Sequence, residues 1–313
     1  MKEISSVLIA GAGAIGSMVA FQIYRTMPEA LGILAGGERL ARYRETGFEI
    51  NGEPCSFPLV DAEAPTSPDL VIIACKFHHL DRVLADLAPF IGPDTLILSL
   101  LNGISSEEIA GAAYGKERIP YAMIIGTDAG HEGNRTTFSK TGTIFFGDAR
   151  NGDGISGPPR SARVEAIASF FDRAGIAYTV PENMLNRLWF KFMMNVGLNQ
   201  VTAILRRPYR ILKTATRIGD AAELLEAAMD EVVAVAAAEG ITLTADDKLT
   251  VYRTLDSLTD GGKTSMCQDV EAGRKTEVEL FSGTVIALGA RHGIAVPVNA
   301  VLYRMLKTIE QSY

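Results

Sequence analysis

Cysteine is scarce: Cys55, Cys75 and Cys267 are the only three in 313 residues, widely spaced and odd in number. No disulfide framework and no zinc-type spacing follows from them, and a reducing, cytoplasmic compartment is expected. There is no excess of positive charge. Lys and Arg total 30 against 37 Asp and Glu, a formal net charge of −7, which argues against general affinity for nucleic acid or acidic membranes. No apolar run has the length of a membrane span. The N-terminal MKEISSVLIAGAGAIG is apolar, but glycines and a helix start cut it short; it reads as a core strand and not as a signal peptide. Internal repeats and low-complexity tracts are missing too. What remains is a globular composition, 47% hydrophobic and 21% charged, in a chain long enough for two domains with a core each.

Val7–Ala10 is a short apolar run followed by Gly11-Ala12-Gly13-Ala14-Ile15-Gly16, and SMVAFQIYR then carries helical periodicity. Alone, such a glycine pattern is a weak signal; between a strand and a helix it has a mechanism. Gly11 allows the tight turn, Gly13 lets a pyrophosphate approach the backbone, and Gly16 allows close packing. A diphosphate would sit on the free N–H groups at the helix start, those of Ala14 and Ile15 among them. The second strand, Leu31–Leu34, runs into Ala35-Gly36-Gly37-Glu38-Arg39. No acid stands directly at its end to take a ribose 2′-OH. Arg39, with Arg42 behind it, is placed for a 2′-phosphate, so the expectation leans to NADP, with NAD as the alternative. The same arginines, beside Glu38 and Glu45, also fit a solvated helix face.

A hairpin is expected near Phe48–Val60, a Pro-rich turn at Pro65–Pro68, and a buried strand at Leu70–Cys75. Lys76 leaves that strand at its carboxyl end, the usual ligand side of an open α/β sheet, where cofactor phosphate or ribose is in reach. His78 and His79 have no third ligand at suitable spacing, so no metal site is expected. Thr95–Leu100 is the next strand, and Asn102-Gly103 after it is either a plain turn or a place where Asn102 faces a nicotinamide or substrate oxygen. Strands at Ile119–Gly126 and Thr143–Phe146, a loop at Asn151–Pro159, a helix over Ser161–Ala174 and a strand at Ala177–Val180 complete this half. From Pro181 onward apolar positions repeat at helical spacing, through Ala221–Ala238, Asp246–Leu258, Thr276–His292 and Ala300–Ile309. The expected fold is an α/β Rossmann-type N-terminal domain over 1–181 and an all-α C-terminal domain over 182–313.

Leu188–Ile204, LWFKFMMNVGLNQVTAI, opens the helical half. At about 100° per residue, Lys191, Asn195 and Asn199 fall one turn apart on one face, with Thr202 in the same sector. The rest of the wheel is nearly all apolar, so the helix should be buried, and a buried Lys needs a partner. Two readings fit. The stripe lines a pocket, with an ammonium to give a proton and amides to hold polar groups; or Lys191 snorkels and the amides satisfy backbone. Further on, Ser265 with Gln268 and Thr276 with Glu279 each fit a capping box. That would place Glu277 in a first helical turn, where the dipole favours its ionised form, as a partner for Lys191.

These stretches together resemble the ketopantoate reductases (2-dehydropantoate 2-reductases) over nearly the whole chain. GAGAIG, the ACK ending at Lys76, LNG at Leu101–Gly103, and the Lys191 helix with its K-x₃-N-x₃-N pattern carry the likeness. The most specific element is TSMCQDVEAGRKTEVELFSGTVIALGARHGIAVPVN. It is similar to the family's SSM-QD-AG--TEID--NG signature and the G-PTPVN that follows. The resemblance implies NADPH bound between a Rossmann-type and a helical domain, and reduction of ketopantoate to pantoate in pantothenate biosynthesis. It implies Lys191 as general acid, Glu277 as its carboxylate partner, and Asn195 and Asn199 as amides holding the substrate hydroxyl end. Ser265 would contact the substrate carboxylate, and Asn102 would lie between nicotinamide and substrate. Gly11, Gly13, Gly16 and Lys76 would touch the cofactor. The chain departs from the family in having Ala35-Gly36-Gly37 where an Arg often follows the second strand, Glu279 where Asp is usual, and Ser282 where Asn usually precedes Gly283. Another branched 2-oxo acid as substrate, or a cofactor-binding regulator without turnover, are the alternatives. The helical half offers surface for a homodimer.

Overall fold

Val7–Ala10 (β1) is buried along its whole length, as a strand covered on both faces must be, and Ala14–Thr26 (α1) follows it. The computed structural model describes residues 2–61, 66–152 and 159–313. Its contacts divide the chain into two units, Met1–Asn102 with Ser106–Leu185, and Gly103–Ser105 with Asn186–Tyr313.

In the first unit the chain continues through Leu31–Ala35 (β2), Gly37–Thr46 (α2), Phe48–Ile50 (β3), Glu53–Cys55 (β4) and Leu59–Asp61 (β5). Leu70–Ile73 (β6), Leu80–Leu87 (α3), Leu96–Ser99 (β7) and Ser106–Tyr114 (α4) follow. Five of these strands form a sheet in the order β5-β2-β1-β6-β7, every neighbouring pair parallel. The order reverses at β1, so the ligand crevice of such a sheet lies beyond the carboxyl ends of β1 and β6. Alternation along β1 feeds two cores. Val7 and Ile9 join Met18 of α1 and other large side chains on one face, while Leu8 and Ala10 join Leu80, Leu84 and Leu87 of α3 on the other. Each buried side chain of this size contributes roughly 1.5–3 kcal/mol. An exposed pair such as Arg82–Asp86, 3.9 Å apart, contributes at most about 1 kcal/mol, so apolar burial holds the sheet.

The expected hairpin near Phe48–Val60 is shorter than its pattern suggested. β3 and β4 pair antiparallel, but Leu59–Asp61 leaves them and pairs parallel with β2. Tyr121–Thr127 (β8), Gly130–Glu132 (β9), Arg135–Thr137 (β10) and Thr141–Gly147 (β11) come next, then Ala162–Ala174 (α5) and Tyr178–Thr179 (β12). They complete two small sheets, β4-β3-β10-β9 and β12-β11-β8. β9 and β10 were not expected, because three-residue strands with mostly exposed side chains carry no apolar alternation. α5 lies where a helix was expected; it starts on the Ser161 hydroxyl, which accepts from Val164 N–H, and stops at Gly175, whose φ is +66°. Most of the expected 151–159 loop, and the start of the Pro65–Pro68 turn, lie outside the described residues.

Asp69 ties the N-terminal segment to β6. Burial alone would raise its pKa, but hydrogen bonds from Ser5 N–H and hydroxyl, Lys2 and the Ser6 hydroxyl outweigh that and hold it at about 2. A depressed carboxyl stabilises the fold above its unfolded value, about 3.9, and the contribution is lost as pH falls toward 2. Asp69→Asn is therefore expected to lower Tm at neutral pH, with the gap to wild type closing between about pH 4 and pH 2. A thermal melt series over that range tests it, and a gap independent of pH would contradict it.

The second unit is helical: Met184–Leu205 (α6, whose first two residues belong to the first unit), Gly219–Ala238 (α7), Ala245–Ser257 (α8), Ser265–Glu271 (α9), a π-helical turn at Glu279–Gly283, Thr284–His292 (α10) and Pro297–Glu310 (α11). α6 and α7 cross closely at Gly197. A Cβ there would stand 2.7 Å from Leu225 Cδ1 and 3.0 Å from Met229 Cγ. Among the described residues no helix is long and apolar enough to cross a membrane.

Candidate active site

The turn after β1 shows three glycines with three different needs. Gly11 has φ +112°, and a Cβ on it would lie 2.8 Å from the Ala74 carbonyl and the Cys75 nitrogen. A Cβ on Gly16 would lie 1.8 Å from the Gly11 carbonyl oxygen, so the helix start packs directly on the turn before it. Gly13 is the opposite case, with nothing within 4 Å of its missing Cβ. It caps α1 without a side-chain hydrogen bond, and no acid stands in the first turn. Ser17 N–H bonds the Gly13 carbonyl at 2.9 Å, which leaves the N–H groups of Ala14, Ile15 and Gly16 with no acceptor inside the helix. An open, uncapped helix start with a bare approach at Gly13 fits a dinucleotide diphosphate.

Lys76 follows β6 and is exposed. Arg39 is exposed near the start of α2, and the Arg42 guanidinium stacks 5.3 Å from the Tyr43 ring centroid. Asn102 is half-buried after β7. The ends of its loop are held by groups that no motif marks. Ser99, the last residue of β7, donates to the Ser106 hydroxyl at 2.8 Å, and Ser106 donates to Glu107 Oε2 at 2.9 Å. Ala122 N–H bonds Glu107 Oε1 at 3.2 Å. Glu107 is only 6% exposed; a Ser-Glu pair opening a helix reads as an ordinary cap, which is why burial and not pattern reveals it. His78 and His79 lie exposed in a short 3₁₀ turn.

In the helical unit, Lys191, Asn195 and Asn199 share a face of α6 and are 8%, 9% and 6% exposed. That burial leaves Lys191 little surface and favours the pocket reading over snorkelling. Thr202, in the same sector, has a different task. A directed chain runs from Cys267 N–H to the Thr264 hydroxyl at 3.1 Å, on to the Thr202 hydroxyl at 2.8 Å, and to the Leu198 carbonyl at 2.8 Å. The helix cap is therefore Thr264, not Ser265. The expected box is shifted by one residue, and Gln268 donates to the Lys263 carbonyl instead. Ser265, now the first helical residue of α9, is exposed.

The second expected box also differs. Thr276 accepts from Val278 N–H at 3.3 Å, and the helix begins with the π-helical turn, with Glu277 at its start, the Glu277 carbonyl accepting from Leu280 N–H at 3.0 Å and Phe281 N–H at 3.2 Å. Glu279 turns to Tyr303 and Lys307. Glu277 is 6% exposed. Ser282 is fully buried, its hydroxyl between Gln200 Oε1 and Asn299 Oδ1. Asn299 in turn donates to Glu231 Oε2 at 2.8 Å. This cluster fixes the side of α6 away from Lys191.

Two family models match the chain: "Ketopantoate reductase PanE/ApbA" over residues 7–151 and "Ketopantoate reductase PanE/ApbA C terminal" over 183–310. A 2-dehydropantoate 2-reductase of Vibrio cholerae is 28% identical over 98% of this chain and 99% of its own. The structure of a 2-dehydropantoate 2-reductase from Geobacter metallireducens superposes with TM-score 0.80 at 25% identity, covering 97% of this chain and 99% of that one. A D-mandelate dehydrogenase solved with NADH and anilino(oxo)acetate gives TM-score 0.85 at 26% identity, covering 98% and 99%. With its parallel Rossmann-type sheet, its helical C-terminal part and both family models matched in order, the chain belongs to the ketopantoate reductase family of oxidoreductases.

Proposed function

We propose that the protein reduces the carbonyl of a small 2-oxo acid, 2-dehydropantoate first among the candidates, to the 2-hydroxy acid at the expense of NADPH. One observation carries this reading: a lysine buried on an apolar helix, with two buried amides one and two turns along the same face. A helix has no structural need for that stripe, and an ammonium so placed suits proton donation to a developing alkoxide. The open approach at Gly13 and the uncapped N–H groups of Ala14 and Ile15 hold the diphosphate, with Lys76 and Arg39 as the cations offered to phosphate and ribose. Bound there, the dinucleotide supplies hydride to the carbonyl carbon. Lys191 gives its proton to the carbonyl oxygen, and Glu277 supplies the negative charge that keeps the ammonium in place. Asn195 and Asn199 orient the substrate's hydroxyl end, selectively, because a missing hydroxyl would leave buried amides unpaired. Ser265 takes the substrate carboxylate and Asn102 lies between substrate and nicotinamide. A cytoplasmic setting is supported by the three cysteines, far apart and odd in number.

The likeness to a D-mandelate dehydrogenase solved with NADH favours a second reading, in which an aryl 2-oxo acid and NADH are used. Turnover of 2-dehydropantoate and of phenylglyoxylate with NADPH and with NADH, followed by nicotinamide absorbance, separates the two. The expected result is preference for 2-dehydropantoate with NADPH; preference for phenylglyoxylate with NADH selects the second reading. No turnover of any 2-oxo acid, with dinucleotide still bound, overturns the enzymatic assignment of these residues.

A further inference from the structure

Glu277 lies in a stretch without regular structure, between the end of α9 at Glu271 and the π-helical turn that starts at Glu279. Its carbonyl accepts from Leu280 N–H at 3.0 Å and Phe281 N–H at 3.2 Å where the next helix starts, but no ladder or preceding helical turn holds the segment, and Thr276, Glu277 and Val278 are all buried. The anchors come from α11. Glu310 Oε1 accepts from Thr276 N–H at 2.8 Å and from the Thr276 hydroxyl at 2.6 Å, and that hydroxyl accepts from Val278 N–H. Lys307 Nζ stands 3.0 Å from Glu310 Oε2 and 3.0 Å from Glu279 Oε1. Tyr303 donates to the Glu279 carboxylate at 2.8 Å. Tyr303, Lys307 and Glu310 recur at i, i+4 and i+7, one face of α11. That face grips the residue before Glu277 and the residue two beyond it.

We propose that the Tyr303–Lys307–Glu310 face of α11 is a positioning clamp for Glu277, a role that rests on the carboxylate function assigned to Glu277 above. A carboxylate serving a buried ammonium must be held in one place, and misplacement by about 1 Å can cost as much as 10²-fold in rate. Surface ion pairs rarely matter, but here the Glu310 side chain is 9% exposed and bonds a backbone N–H that has no helix to satisfy it.

The test is a double-mutant cycle on the full protein. Glu310→Ala is expected to lower kcat by about 10-fold to 10²-fold while leaving dinucleotide Kd unchanged. Glu310→Gln keeps an acceptor for Thr276 and should recover most of that loss. In a Glu277→Gln background, Glu310→Ala should change kcat by less than about twofold, since it acts through a group already neutralised. An equal loss in both backgrounds would make Glu310 merely structural and overturn the clamp. Amide hydrogen exchange gives a second readout that needs no substrate. Glu310→Ala should speed exchange at Thr276 and Val278 by about tenfold or more, with α6 and α7 unchanged; unaltered protection there also overturns it. If Glu277→Gln alone retains wild-type kcat, the role of that carboxylate fails, and the exchange result still decides the clamp.

Discussion

Lys191→Met and Lys191→Ala are expected to lose kcat by at least about 10²-fold, the lower end of what a positioned general acid contributes, with dinucleotide binding intact. Of the two cations on α6, Arg187 is exposed and Lys191 is the buried one, its residue 8% exposed. In such surroundings a charge near the carbonyl oxygen acts at far higher strength than in water. Met fills nearly the same volume, so the fold is not the casualty, and replacing a buried charge by an apolar chain is often neutral for stability. Equal Tm and dinucleotide Kd for wild type and Lys191→Met, together with the collapse of kcat, would establish the role. Turnover close to wild type would remove Lys191 from the mechanism, whatever the family likeness.

The second large effect separates two glycines three residues apart. Gly16→Ala forces a Cβ to 1.8 Å from the Gly11 carbonyl oxygen, so the turn or the helix start has to move. Overpacking of this kind costs about 1–3 kcal/mol or more, and a marked fall in Tm or loss of soluble protein is expected. Gly13→Ala meets nothing within 4 Å and should fold with a Tm near wild type. Its methyl, however, occupies the approach to the diphosphate, and dinucleotide Kd should rise by about tenfold or more, roughly 1.4 kcal/mol. Titration of NADPH fluorescence on the folded Gly13→Ala protein checks this. Binding at wild-type strength would place the diphosphate elsewhere.

Much of the fold was legible because its signals are local. β1 and β2 are short apolar runs beside glycine turns, and α5, Ala162–Ala174, falls within the helix expected over Ser161–Ala174. Where a short strand has no apolar alternation, as at His131 or Arg135, the sequence says nothing, and only pairing, of β10 with β3 and of β9 with β10, defines it. Capping was read one residue late at Ser265, because Thr264 and Ser265 are chemically interchangeable until one sees which hydroxyl faces Cys267 N–H. The grouping of Gly103–Ser105 with the helical unit was invisible for the same reason. Gly103 looks like half of an Asn-Gly turn, but its missing Cβ lies 2.6 Å from the Leu280 side chain.

By itself the sequence determined the parallel α/β start, the helical remainder, the glycine turn and the buried stripe of Lys191, Asn195 and Asn199, since each follows from spacing within one element. Tertiary structure alone decided what the other buried polar side chains are for. Thr202 meets Thr264 across 62 residues, Ser282 meets Gln200 across 82, and Glu310 holds Thr276 across 34. A hydrogen bond between side chains distant in sequence leaves no periodic trace, and it exists only once packing has brought donor and acceptor together away from water.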